Sequence, residues 1–229
     1  MTGIIIQARM GSSRLPGKIL KDFEGKTLIG HIIDRLVRVK SPVKVIIATS
    51  NMSQDDQVER FCRQKGVDCF RGDEQNVLKR YYDCANMYHL KDIVRMTGDN
   101  PFPDVEELDR LIAFHQENNM EFSENFTVLP VGVGMEIMSY RALAESMCKA
   151  FLPKHFEHAD EYILDHLEDF RHHTVQVSIE KDRPDVRLTV DTLQDYQKAC
   201  YILREAHADY VTTEQAILLS DIYERQSGR

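Results

Sequence analysis

The feature that most limits how this chain can fold is a repeated pairing of short β-branched apolar runs with amphipathic segments through its first half. The opening run carries Ile4-Ile5-Ile6 and ends at a glycine-bearing loop, the pattern of a buried strand over 2–7. Leu28, Ile29, Ile32, Ile33, Leu36 and Val37 then recur at helical spacing over 28–39, until Ser41-Pro42 stops them. The alternation continues with strands over 43–48, 67–70 and 92–96. Helices are expected over 54–65, 74–89 and 105–118, the first of these closed by Gly66. Such alternation predicts an α/β fold: a mostly parallel central sheet with helices on both faces, a three-layer sandwich. The second half is less regular, with strands expected at 121–126, 135–139, 172–179 and 187–190. Helices are expected there at 140–150, 155–167, 193–206 and 213–226. No linker, repeat or low-complexity tract interrupts residues 1–229, which read as one domain.

Composition narrows the partners. A net charge of −8 carries no whole-chain nucleic-acid footprint, so positive charge for an anionic ligand must be local. The five cysteines are odd in number, widely spaced and without a CxxC pair, as in a reducing compartment. No apolar run approaches a membrane span or a signal peptide. The expected setting is the cytoplasm, with no nucleic acid and no membrane.

Local positive charge occurs where the first strand ends. Ala8, Arg9, Met10, Gly11, Ser12, Ser13 and Arg14, followed by Leu15-Pro16-Gly17-Lys18, pack three cations among glycines and serines. In open α/β sheets, ligands bind beyond the carboxyl ends of the strands. Gly11 allows backbone N–H groups close to an anion, Arg forks match phosphate, and Lys adds a point charge. The loop is neither a Walker A sequence nor a GxGxxG turn. The bland alternative is a solvated charged turn.

The stretch from Ile5 through Lys18 closely resembles the opening motif of the cytidylyltransferases that activate acidic sugars. These include the acylneuraminate and 3-deoxy-manno-octulosonate cytidylyltransferases, and the spore coat polysaccharide biosynthesis protein F branch most of all. The likeness recurs in order along nearly the whole chain. It implies a Rossmann-like, glycosyltransferase-A-like nucleotidyltransferase fold, CTP as donor, an acidic sugar as acceptor, Mg²⁺ as cofactor and a homodimer.

Two carboxylates complete that picture. Asp99, in Thr97-Gly98-Asp99-Asn100-Pro101, follows the fourth strand and so shares a sheet edge with the loop. Mg²⁺ takes one or two carboxylates plus phosphate oxygens and waters. Asp99 is a candidate ligand, although Asp-Asn-Pro is also turn chemistry. Asp191 ends Arg187-Leu188-Thr189-Val190-Asp191. It reads as a cap for the following helix or, by the resemblance, as the metal partner of Asp99. The resemblance makes Arg187 a weaker substrate contact and Asp195 an outer group. It implies catalytic roles for Lys18, Asp99 and Arg14, and nucleotide contacts for residues 8–14, Lys18, Thr97 and Gly98.

Arg71, after the third strand, could donate to cytosine O2 and N3 or sit in a surface turn. The resemblance further suggests acceptor contacts from Asn125, Glu136, Glu157 and His158. Glu136 could equally be a solvated strand residue, and His158 an exposed helix residue. The chain departs from the family pattern at Asn76 and Gly134, each standing where an aspartate is usual. Two other readings share these features: a nucleotide-sugar glycosyltransferase, and a nucleotide-binding module without catalysis.

Overall fold

The computed structural model describes residues 1–228. In chain order it contains β1 (Thr2–Gln7), a 3-10 turn at Lys18–Leu20, a hairpin of β2 (Asp22–Phe23) and β3 (Lys26–Thr27), α1 (Leu28–Leu36), β4 (Val43–Ser50), α2 (Asp56–Lys65) and β5 (Asp68–Gly72). There follow α3 (Val77–Met87), β6 (Asp92–Thr97), α4 (Val105–Glu117), β7 (Phe122–Glu124), β8 (Glu136–Ser139) and α5 (Tyr140–Lys149). The chain ends with α6 (Pro153–Glu157), α7 (Glu161–Asp165), β9 (His172–Thr174), α8 (Leu193–Glu205) and α9 (Thr213–Gln226).

Seven strands form one sheet in the order β5-β4-β1-β6-β8-β7-β9. The four strands from β5 to β6 are parallel, and β8 runs antiparallel to both its neighbours. Strand periodicity divides the core. Ile5 joins Leu78, Tyr81 and Leu143 on one face, while Ile4 and Ile6 join Ile29, Ile32 and Leu108 on the other. The expected three layers and mostly parallel sheet are therefore present. A third apolar cluster joins Phe102, Leu129 and Val133 to Leu188, Val190, Ile202 and Ile217, so α8 and α9 close over the connections that leave the sheet.

Three expected elements differ. Residues 187–190 are not a sheet strand. Their alternation is real, since Val186, Leu188 and Val190 are buried. Their hydrogen bonds, however, go to separate single residues. Val131 N–H donates to the Val186 carbonyl, Leu188 N–H to the Val131 carbonyl, and Val190 N–H to the Asp99 carbonyl. The helix expected over 155–167 is broken, with His158 extended at φ −135° and ψ 145°. Residues two apart on a helix point to opposite sides; the break lets His158 and Asp160 both face Arg95. The strand expected over 172–179 ends at Thr174. The β2–β3 hairpin was not foreseen, because two-residue strands carry no periodicity. Its turn uses Glu24 and Gly25, both at positive φ.

Gly132 shows how tightly the connections pack. It has φ +93°, and a Cβ there would lie 2.7 Å from the Thr189 nitrogen. Gly132→Ala is expected to destabilise the fold by about 2 kcal/mol or more through backbone strain and overpacking. Chemical unfolding checks this; an unchanged midpoint would contradict the packing described.

Candidate active site

Strand order reverses between β1 and β6, since β1 leads to β4 on one side while β6 pairs on the other. This is the switch point at which open α/β sheets bind ligands. Gln7 and Thr97 are register partners, so the two loops leave the sheet at one level. A cavity of about 230 Å³ lies between them. Ala8, Arg9, Gly11, Ser12, Ser13, Arg14 and Lys18 line one side, and Thr97, Gly98 and Asp99 the other.

The loop is anchored from within. Ser12 and Gly17 both donate their N–H groups to the Met10 carbonyl, and Gly17 takes the left-handed φ of +68°. The Met10 N–H donates to Asp55 Oδ1 at 2.7 Å. Asp55 is fully buried and also accepts from the N–H and hydroxyl of Ser50 at the end of β4. Met10 is thus an anchor of the loop and does not line the cavity, contrary to its expected contact role. Gly98 leaves little room for a side chain, since a Cβ would meet that of Ala8 at 3.0 Å.

Lys18 ties the mouth of the cavity together. Its ammonium donates to Asp99 Oδ2 at 2.8 Å, Asp191 Oδ1 at 3.0 Å and the Val190 carbonyl at 2.9 Å. All three of its donors are engaged. Arg14 reaches Asp191 Oδ1 at 3.1 Å, and Arg187 reaches Asp191 Oδ2. Thr97 Oγ1 donates to Asp99 Oδ1. Burial alone would raise the Asp191 carboxyl; Lys18, Arg14 and Arg187 outweigh it and hold the group below its ordinary value. Asp191 does not cap α8. Thr192 does, in a capping box with Asp195, whose Oδ2 accepts from the N–H groups of Asp191 and Thr192. Asp191 is left free to face Asp99.

No cluster of three or more metal-ligating side chains occurs among the described residues. Two converging hard-oxygen donors around one cation nonetheless suit Mg²⁺, which takes its remaining ligands from phosphate and water.

Other expected contacts are placed differently. Arg71 does not enter the cavity. Its guanidinium donates to the Ser50 and Met52 carbonyls and to Asp56 and Glu59, so four of its five donors are committed away from the cavity. Arg80 lines the cavity instead. It is fully buried, donates to the Asp73 carbonyl at 2.6 Å, and its Nε has no partner. Burial first, and nearby Arg9, lower its pKa from the arginine value. The legible signal was a charge on the buried stripe of α3 beside Val77, Tyr81 and Cys84. Asn76 caps α3 by accepting from the Lys79 N–H, work that asparagine and aspartate both do.

A second cavity of about 330 Å³ adjoins the first and shares Thr97 with it. Glu136 and His158 line it; Asn125, Glu157 and Arg187 do not. Asn125 is buried and accepts from the Met135 N–H, Glu157 is exposed on α6, and Arg187 remains with Asp191 and Asp195. Glu136 is not a solvated strand residue. It is buried opposite Arg95 in the β6–β8 register and ion-paired with it. Burial outweighs Arg95 and, with Asp160 beside it, pushes the Glu136 carboxyl up to about 8. The folded state therefore holds a proton that the unfolded chain releases near 4.5. That contribution to stability is complete below the lower value and is lost as pH rises through the upper one. Glu136→Gln is expected to flatten the stability–pH curve over this window. An unchanged slope in pH-dependent unfolding would overturn the assignment.

Comparison with known proteins follows this geometry. A family described as Cytidylyltransferase matches residues 3–220. The spore coat polysaccharide biosynthesis protein SpsF of Bacillus subtilis is 33% identical over 223 residues, covering 94% of this chain and 92% of that protein. A cytidylyltransferase from Leptospira borgpetersenii superposes with a TM-score of 0.85 at 32% identity, covering 99% of this chain and 95% of that one. CMP:2-keto-3-deoxy-manno-octonic acid synthetase complexed with CTP shares the fold, with a TM-score of 0.67 at 18% identity, covering 89% and 98%.

Proposed function

Because this chain belongs to the cytidylyltransferase family, we propose that it transfers CMP from CTP to a hydroxyl-bearing acceptor, releasing pyrophosphate, in polysaccharide biosynthesis. The observation that carries this reading is the convergence of Lys18, Asp99 and Asp191 at the mouth of the switch-point cavity. Mg²⁺ as cofactor, a homodimer and a cytoplasmic setting belong to the same proposal and draw on the resemblance. No helix among the described residues is long and apolar enough to cross a membrane.

The chain's own groups divide the work. Arg9, Arg14 and Arg80, with the N–H groups of the loop, bind the triphosphate and stabilise negative charge as pyrophosphate departs. The acceptor oxygen bonds to the α-phosphorus in line, the bond to the bridging oxygen breaks, and the acceptor's hydroxyl proton is released. Asp99 and Asp191 would hold Mg²⁺, which when bound neutralises charge on the phosphate oxygens. Thr97 orients Asp99, and Arg187 orients Asp191. The resemblance implies a sugar acid as acceptor.

The competing readings lose their footing. The segment Gly98-Asp99-Asn100 lacks the Asp-x-Asp pair expected of a glycosyltransferase. The two departures that favoured a non-catalytic module have structural causes. Asn76 is a helix cap. At Gly134 a Cβ would meet Phe126 Cα at 2.5 Å, so the backbone itself fills that space.

Asp99→Asn and Asp191→Asn are each expected to lower pyrophosphate release from CTP by about 100-fold or more while the fold is kept. Chelation of divalent metal is expected to abolish release, and Mg²⁺ to restore it. Near-normal turnover in Asp99→Asn would sink the metal assignment.

A further inference from the structure

The junction at Lys18 constrains the order in which the site fills. Each oxygen of the acidic pair already meets a donor. Asp99 Oδ1 accepts from Thr97 Oγ1, and Asp99 Oδ2 from Lys18 at 2.8 Å. Asp191 Oδ1 accepts from Lys18 at 3.0 Å and lies 3.1 Å from an Arg14 nitrogen, while Asp191 Oδ2 accepts from Arg187. A divalent cation that takes both carboxylates as ligands must compete with these donors, and Lys18 is the one that touches both.

The surrounding charge opposes such a cation. Arg9, Arg14, Lys18 and Arg80 line the cavity, and Asp99 is its single aspartate or glutamate among the described residues. Only 10% of the Lys18 side chain is exposed, so solvent screens its charge little. A dication arriving alone would strip a buried ammonium of its partners and add two charges to a cavity that is already positive.

A triphosphate reverses both conditions. It supplies the negative charge the cavity lacks, and its oxygens accept from an ammonium as carboxylates do. Lysine carries its charge on a flexible four-carbon stem, so the ammonium can exchange one set of oxygens for another while the loop stays in place. Mg²⁺ in turn favours one or two carboxylates together with phosphate oxygens over an all-protein cage.

We infer that Lys18 is a built-in counter-ion that keeps divalent metal off Asp99 and Asp191 in the free protein, so that metal joins the site together with the nucleotide or after it, never before. The inference rests on the reading of Asp99 and Asp191 as metal ligands. Nucleotide and metal then each raise the other's affinity by the same factor, as linkage requires.

The test measures metal binding by the full chain at neutral pH. The probe is Mn²⁺, which takes the same oxygen ligands as Mg²⁺ and whose free form is read by its electron spin resonance signal. Without nucleotide, Lys18→Met is expected to bind Mn²⁺ about ten-fold or more tightly than wild type, because one repelling charge is gone. Lys18→Arg, which keeps the charge, is expected to stay near wild type. Adding Asp99→Asn to Lys18→Met is expected to remove the gain. Equal binding by wild type and Lys18→Met overturns the inference, as does a gain that survives Asp99→Asn. A second measurement needs no Lys18 variant. Wild type is expected to bind Mn²⁺ about ten-fold or more tightly when saturated with CTP, beyond what CTP binds by itself, and Asp99→Asn to lose that rise. Wild type that binds Mn²⁺ equally with and without CTP overturns the inference and leaves the metal reading intact. No Mn²⁺ bound at Asp99 in any of these proteins, with CTP or without, overturns the metal reading and the inference with it.

Discussion

The Lys18 ammonium is the contact on which the arrangement of this site depends. One charge binds the loop after β1, the loop after β6 and the segment entering α8, through Asp99, Asp191 and the Val190 carbonyl. Two carboxylates near one another repel unless a cation lies between them. Here the cation is built in and buried, so the acidic pair is assembled without a ligand. The Val190 N–H donating to the Asp99 carbonyl supports the same junction from the backbone. A site that already gathers its charges around a cation loses less entropy when phosphate and metal arrive.

A second buried charge organises the neighbouring cavity by a different balance. Arg95 faces Glu136, Asp160 and His158 at once, and the local helix breaks to permit it. Around Lys18 the charges are partly exposed and cations prevail, so Asp191 is held ionised. Around Arg95 burial prevails, and Glu136 keeps its proton to a much higher pH. Two adjoining cavities therefore hold their acidic groups in opposite protonation balances.

The phosphate loop was legible because its evidence is local. Three cations among glycines and serines directly after a strand predict an anion cradle, and these residues line the switch-point cavity. Asp99 was legible because it follows a recognisable strand. Arg71 misled because a cation after a strand looks the same whether it faces a ligand or, as here, Asp56 and Glu59 on the next helix. Arg80 leaves only a charge on a buried helical stripe in the sequence, and Asp55 leaves nothing beyond turn chemistry. Only burial reveals that one lines the cavity and the other anchors the loop. Asn125 illustrates the reverse case: a polar residue that suggested substrate contact instead fixes the Met135 backbone.

By itself the sequence determined the layers, the parallel half of the sheet, the loop at the switch point and the chemical character of the first cavity. Periodicity and local turn chemistry suffice for these, since each is encoded within about a dozen neighbouring residues. Only the tertiary structure decided that Asp191 meets Asp99 rather than capping a helix, and that Asp160 joins Glu136 around Arg95. Contacts between residues 92 positions apart, such as Asp99 and Asp191, leave no periodic trace. They are set by how the third apolar cluster draws 186–190 against the loop after β6. Their charges acquire meaning only when burial fixes which neighbours remain.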